Sequence, residues 1–297
     1  MASVQSPIPA DAARAARTPR VDFLGIGVQK AGTTWLYRML AAHPEIFMAR
    51  GDDKDLRFFN AYYDRGYLWY ERYFEDAGAK RRGEFSTSYF YSKDAPERVH
   101  RYNPAMRLLL SLRDPVDRLI SHHRHEIRVG RIEPDLPLER AIESNPSYVE
   151  QSMYFEQLSR WLEWFPRSSL HIVIFEEMFR DPGKALRDVY AFVGVSPSFV
   201  PRELDEKINE GRIPRSRLVE RGASIAASTL RKVGGAPIVD LLKRAGVDSR
   251  LRSANTRPAE RSRPDPALVA RLRELFAAEN AKLAALLGRD LSIWDRD

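Results

Sequence analysis

Cysteine is absent from the 297 residues. That excludes disulfides, thiolate nucleophiles and cysteine-ligated zinc. Also missing are an apolar run near the ~20 residues that a membrane-spanning helix requires and a signal-like apolar core near Met1. These absences lead to the expectation of a cytoplasmic protein in a reducing compartment, with no transmembrane segment and peripheral membrane contact left open. Internal repeats are absent too. Negative charge is the scarcer sign: 41 Asp and Glu stand against 48 Lys and Arg, for a net charge of +7. An excess of base favours anionic partners such as a nucleotide, a nucleic acid, an acidic glycan or an anionic membrane, and composition does not choose among them. The length suits one large α/β domain with insertions.

The stretch from Val21 to Leu40 organises the chain. Val21, Phe23, Leu24, Ile26 and Val28 form an apolar, partly β-branched run that predicts a buried parallel strand. Trp35, Leu36, Met39 and Leu40 recur at spacings of three and four, which predicts one face of a helix. Between them lies Gln29-Lys30-Ala31-Gly32-Thr33-Thr34. Small residues let backbone close around an anion, a helix N-terminus aims N–H groups at it, and Lys30 adds a full charge. The loop departs from the Gly-Lys-Ser/Thr phosphate loop, because Lys30 precedes Gly32 and is followed by Ala31. A GxGxxG reading fails as well, since Lys30 fills the third glycine position.

A second strand–anion-site–helix follows. Met106 to Leu112 reads as a buried strand running into Arg113, with Asp114 as N-cap and Pro115 as the first residue of a helix to about Arg128. Ser121 lies nearly two turns along that helix. A third strand is expected at Leu170–Phe175, with a helix from Pro182 to about Val193. A short strand at Arg82–Thr87 ends in a hydroxyl-rich turn, and Asp94-Ala95-Pro96 opens another helix, with Asp94 as its cap. Tyr62–Phe74 is aromatic and helical from Tyr67, and residues 150–165 form an aromatic helix. Phe58 and Phe59, behind a charged cluster that includes Lys54 and Asp55, suggest an aromatic anchor for a polar loop. Strands alternating with helices predict a parallel sheet covered on both faces. Residues 1–20 read as a disordered tail, with a single domain over 21–297. Within it, 212–252 is a basic, lid-like segment carrying Arg215, Arg217, Arg231, Lys232 and Lys243. A last helix starts at Asp265-Pro266, carries Leu268, Leu272, Leu275, Phe276, Leu283 and Leu286 on one stripe, and stops at Gly288.

Q-K-A-G-T-T-W-L resembles the 5′-phosphosulfate loop of sulfotransferases that use 3′-phosphoadenosine 5′-phosphosulfate (PAPS). R-L-L-L-S-L-R-D-P-V-D-R-L-I-S is similar to their 3′-phosphate segment. K-D-L-R-F-F, G-E-F-S-T-S-Y-F and S-M-Y-F-E-Q-L-S-R-W-L resemble segments of the Golgi carbohydrate branch, above all the heparan sulfate O- and N-sulfotransferases. The resemblance spans about residues 21 to 195. It implies a P-loop-like sulfotransferase fold with a helical C-terminal region, PAPS as sulfuryl donor, no metal, and a glycan or small-molecule acceptor rather than nucleic acid. It implies that Gln29, Lys30, Ala31, Gly32, Thr33, Thr34 and Trp35 hold the 5′ end of the nucleotide, and that Arg113 and Ser121 hold its 3′-phosphate. Lys30 would stabilise the leaving charge. Asp55 stands at the family's glutamate base, with Glu84 as the second candidate. Arg57 replaces a usual histidine, Asn60 a common aspartate and Phe85 a common lysine. His122, His123 and His125 cluster on one helix, but only His122 and His125 share a face and no third ligand is in sight, which argues against a metal site. A phosphoryl-transfer kinase and a non-catalytic nucleotide- or polyanion-binding protein are the competing readings.

Overall fold

The computed structural model describes residues 21–49, 55–204, 212–214, 256–258 and 264–295. The N-terminal tail, Lys54 and the five basic residues named in the 212–252 segment lie outside them. The described residues fall into two compact units, one reaching Arg113 and resuming over Glu156–Leu204, the other covering Asp114–Phe155 and the residues from Asp205 on.

The first unit is built on five parallel strands: β1 (Phe23–Gly27), β2 (Ile46–Met48), β3 (Arg81–Phe85), β4 (Arg107–Leu112) and β5 (Leu170–Ile174). Their order is β2-β3-β1-β4-β5. All five residues of β1 are buried, as a central parallel strand covered on both faces demands. Helix α1 (Thr33–Ala42) carries the chain from β1 towards β2, and buries Trp35, Leu36, Met39 and Leu40 on the face their spacing predicts. After α2 (Phe58–Ala61) and α3 (Gly66–Glu71), α4 (Ala95–Tyr102) carries it the opposite way, from β3 past β1 to β4. Right-handed crossovers in opposite directions put α1 and α4 on opposite faces of the sheet. The reversal beside β1 makes a topological switch point, where the carboxyl ends of parallel strands open a crevice for ligands.

Two glycines let the centre of the sheet close. Register pairs Gly25 with Phe85 and Phe23 with Gly83, and each phenylalanine ring lies where the opposing glycine's Cβ would be. Gly25→Ala is therefore expected to lower stability by ~1–3 kcal/mol or more through overpacking. Denaturant melts should show a lower midpoint at unchanged m, and an unchanged midpoint would mean that the ring moves aside freely. Phe85, at the position where the resemblance has lysine in common use, is a wholly buried core residue.

The second unit is mainly helical, with α5 (Pro115–Arg128), α6 (Leu138–Ser144), α7 (Ser147–Glu150) and, far along the chain, α11 (Pro266–Leu287), and it also holds two short antiparallel strands, β6 (Arg212–Pro214) and β7 (Thr256–Pro258). Between α7 and α11 run α8 (Tyr154–Leu162), α9 (Phe175–Arg180) and α10 (Pro182–Val193). Asp114 caps α5 as expected, accepting from the Val116 and Asp117 amides at 2.8 and 3.0 Å. Val116, Leu119, Tyr148, Leu268, Leu272 and Phe276 share one core. Beside it Arg118, fully buried, donates to the Ser152 hydroxyl and the Tyr148 carbonyl, both at 2.6 Å.

Three expectations need correction. Asp94 precedes α4 but makes no side-chain cap; it pairs with Arg98 at 3.0 Å, and the Ser92 hydroxyl accepts from the Ala95 amide instead. Leu275 and Leu286 lie at the edge of the α11 stripe and are exposed. β2 was not foreseen, because three residues carry no readable period.

Candidate active site

Three neighbouring strands, β3, β1 and β4, end at one edge of the sheet, about 5 Å apart. Each delivers one part of the site.

From β1 comes the Lys30 loop. Gly32 is the N-cap of α1 in the left-handed region (φ 77°), which glycine adopts without a steric penalty. A Cβ there would also come within 2.6 Å of the Met178 side chain on α9. Lys30 itself has φ 74°, a conformation that costs a non-glycine residue about 1 kcal/mol or more and is found where a site is held under constraint. Among the described residues no side chain caps the start of α1, where the first amides of a helix lie outside its intrahelical ladder. Gln29, Lys30, Gly32 and Thr34 are half-buried, whereas Ala31 and Thr33 are buried. Trp35 is buried too, its ring 5.6 Å from that of Phe179.

From β4 come Ser111 and Arg113. The Ser111 hydroxyl donates to the Ala31 carbonyl at 2.5 Å, and its carbonyl accepts from the Val28 amide at 2.8 Å. Arg113 lies over the Phe175 ring, 4.5 Å from its centroid, and donates to the Lys30 carbonyl at 3.3 Å. The two anion motifs read separately from the sequence are therefore joined through one carbonyl. Ser121 sits half-buried on α5 in the second unit. Ser111 was missed because a serine inside an apolar strand carries no signal of its own.

From β3 comes a hydroxyl-rich turn that holds the Asp55 loop at three points. Asp55 Oδ1 accepts from the Thr87 amide at 2.7 Å and from its hydroxyl at 3.2 Å. The Arg57 amide donates to Ser86 Oγ at 2.9 Å, and the Phe59 amide donates to the Tyr89 hydroxyl at 3.3 Å. Arg57 has φ 53°, so a second strained residue lies in this loop. Phe58 and Phe59 are the anchor their pairing suggested: both are fully buried, and Phe58 stacks on Tyr70 at 4.5 Å. Asp55 is half-exposed. Glu84 is fully buried, with Oε1 accepting from Tyr89 at 2.6 Å and Tyr70 at 3.0 Å, and Oε2 accepting from Ser86 at 3.1 Å. Burial pushes its carboxyl up to about 7, although the three hydroxyls pull it back down and the Asp55 charge adds a little upward. Tyr70, Ser86, Thr87 and Tyr89 were not singled out; the run of hydroxyls in S-T-S-Y was the available signal.

Among the described residues no group of three or more His, Asp or Glu could hold a metal ion, and no helix is long and apolar enough to cross a membrane. His122 and His123 are buried in the second unit, and His125 pairs with Arg128 at 2.8 Å.

A switch-point crevice flanked by a lysine in a glycine-bearing loop and by an arginine defines an α/β protein of the phosphate-loop type, built to hold an anionic ligand. The sulfotransferase domain family matches residues 20–212, and the chain belongs to that family. A crystal structure of a sulfotransferase from Alicyclobacillus acidocaldarius is 25% identical, with a TM-score of 0.67 over 94% of this chain and 100% of that one. The chain is 31% identical over 180 residues to heparan sulfate glucosamine 3-O-sulfotransferase 6 of Mus musculus, covering 57% of this chain and 51% of that protein. It is 31% identical over 198 residues to the human bifunctional heparan sulfate N-deacetylase/N-sulfotransferase 3, covering 60% of this chain and 22% of that protein. The chain thus spans about half the length of the first relative and about a fifth of the second.

Proposed function

We propose that this protein transfers a sulfuryl group from PAPS to a hydroxyl or amine of a carbohydrate or a glycosylated small molecule, with the cytoplasm as its compartment. The observation that carries the reading is the Arg113–Lys30 junction, which sets two cationic residues at adjacent strand ends for one nucleotide with anionic groups at both its 3′ and 5′ positions. The cradle also suits a phosphate: no side chain among the described residues caps the α1 N-terminus at Gly32, and a helix N-terminus favours negative charge. When bound, PAPS supplies the sulfuryl group as a phosphosulfate anhydride. Lys30 neutralises the charge that grows at the loop as that bond breaks, in a preorganised setting that needs little reorganisation. Arg113 takes the 3′-phosphate and orients the nucleotide for an in-line displacement. Asp55, held by Thr87 and half-exposed, accepts the acceptor's proton.

A carbohydrate acceptor is supported by the two heparan sulfate sulfotransferase relatives. Arg57 and Asn60, in the loop that carries Asp55, depart from the pattern of that branch, so the proposed acceptor class is carbohydrate rather than heparan in particular. The test is a mass-shift screen with PAPS against desulfated heparan sulfate, neutral oligosaccharides and glycosylated small molecules. An 80 Da gain on a carbohydrate-bearing acceptor is expected, and gain only on simple phenols would overturn the acceptor class.

The nucleotide half has its own prediction. Arg113→Ala should weaken binding of 3′-phosphoadenosine 5′-phosphate by ~30- to 150-fold, as expected for a lost charged contact of ~2–3 kcal/mol. Binding of adenosine 5′-phosphate should change far less. Equal weakening of both in calorimetry would place the 3′-phosphate elsewhere.

A further inference from the structure

Glu84 is a buried carboxyl that the mechanism above does not use, and its surroundings are unusually complete. Three hydroxyls from different places converge on it: Tyr70 from α3, Ser86 two residues beyond it, and Tyr89 from the same turn. Two of the three are themselves acceptors. Ser86 Oγ receives the Arg57 amide, and the Tyr89 hydroxyl receives the Phe59 amide. A hydroxyl that accepts a backbone N–H and donates its single proton to a carboxylate has a fixed direction. Two directed chains therefore run from the backbone of the Asp55 loop to Glu84, one through Ser86 and one through Tyr89.

We propose that Glu84 is a positioning residue for the loop that carries Asp55: through Ser86 and Tyr89 it fixes the Arg57 and Phe59 amides, and so the turn that presents the Asp55 carboxylate. The arrangement explains why Arg57 can be held at φ 53° without a glycine, since its amide is tied on one side and the fully buried Phe58 and Phe59 rings on the other. It also explains the buried charge. An ionised carboxylate accepts all three protons, whereas a protonated one carries its own O–H donor on one oxygen, which competes with the hydroxyl aimed there.

Among the described residues, the groups facing Glu84 are few. They are Tyr70 from α3, Tyr89 and Ser86 from the turn, and Asp55 from the loop, with Tyr102 of α4 behind Tyr70. From β1, the residue in register is the apolar Leu24. No cation among the described residues appears as a cause of its shift. The carboxyl titrates near 7, well above its ordinary value of 4.5. The native state therefore holds a proton that the unfolded chain releases between those limits. The contribution of Glu84 to stability is present in full below about 4.5 and is lost as pH rises through about 7. Over the same upper range the two hydroxyl chains become fully directed.

The decisive experiment uses deuterated, ¹⁵N-labelled full-length protein and needs no acceptor. The Arg57 and Phe59 amide signals should titrate together with one midpoint near 7, and should do so in Asp55→Asn as well. In Glu84→Gln the titration should vanish and both amides should exchange with solvent at least ~10-fold faster, while 3′-phosphoadenosine 5′-phosphate still binds with unchanged affinity. If Glu84→Gln fails to fold, Ser86→Ala should release the Arg57 amide alone and Tyr89→Phe the Phe59 amide alone. Amides that ignore pH, or that exchange at wild-type rates in these variants, would overturn the proposal. The proposal rests on the sulfuryl-transfer reading only for the importance of Asp55. Full activity in Asp55→Asn would remove Asp55 from the chemistry, whereas no transfer from PAPS to any acceptor by the wild-type protein would sink that reading; both leave the amide result standing.

Discussion

Replacing Lys30 with methionine is expected to lower kcat by ~100-fold or more, about 3 kcal/mol of transition-state stabilisation, without unfolding the protein. Methionine has similar length and reach, and the side chain is borne by a loop whose shape is set elsewhere. Ser111 holds the Ala31 carbonyl, Arg113 holds the Lys30 carbonyl, and the Val28 amide is tied to β4. All three ties are to backbone and survive the substitution. The loss should fall on kcat rather than on KM for PAPS, because the ammonium is needed most where charge accumulates during bond breaking. Single-turnover kinetics would separate the two, and a variant with wild-type kcat would remove Lys30 from the chemistry.

Asp55→Asn is expected to cost ~100-fold or more in kcat with nearly constant nucleotide affinity. The amide keeps an oxygen for the Thr87 amide and hydroxyl, so the loop stays in place, but it cannot take up a proton. Asp55→Glu should fall between wild type and Asn. It restores the base but moves the carboxylate by about a bond length away from a donor fixed at the end of β3, and small misplacements are costly. Loss of the Thr87 tie could by itself lower activity, so Thr87→Val provides the control: it removes only the hydroxyl contact and should cost less than Asp55→Asn. An Asp55→Asn enzyme as fast as wild type would mean that another group removes the proton.

Much of this was legible in the chain because its strongest signals are local. The β1 run, the glycine after Lys30, the Asp114-Pro115 helix start and the Asp265–Gly288 helix each declare themselves within a few residues, and the structure places their boundaries within one or two positions. The ties between segments were not legible. Nothing in K-D-L-R-F-F says that its amides end on Ser86 and Tyr89, some 30 residues away, because a hydrogen bond to a backbone N–H leaves no mark on the donor's side chain. Phe85 stood in the sequence only as the replacement of a common lysine. In the sheet it is the residue whose ring fills the space left open by Gly25. The Arg113–Lys30 contact needed the strand order, which brings β4 beside β1 although β2 and β3 lie between them in the chain.

The triple attachment of the Asp55 loop to the turn after β3 has a consequence for exchanging parts between relatives. Residues 55–60 and 84–89 are distant in the chain but meet as lock and key, each supplying what the other's backbone requires. A loop transplanted alone from a relative with lysine at position 85 would meet a turn cut for a different partner. A chimera that moves both segments, together with whatever residue faces position 85 from β1, keeps every donor matched. Acceptor preference in this protein should therefore be transferable as a pair of segments and resistant to change one segment at a time.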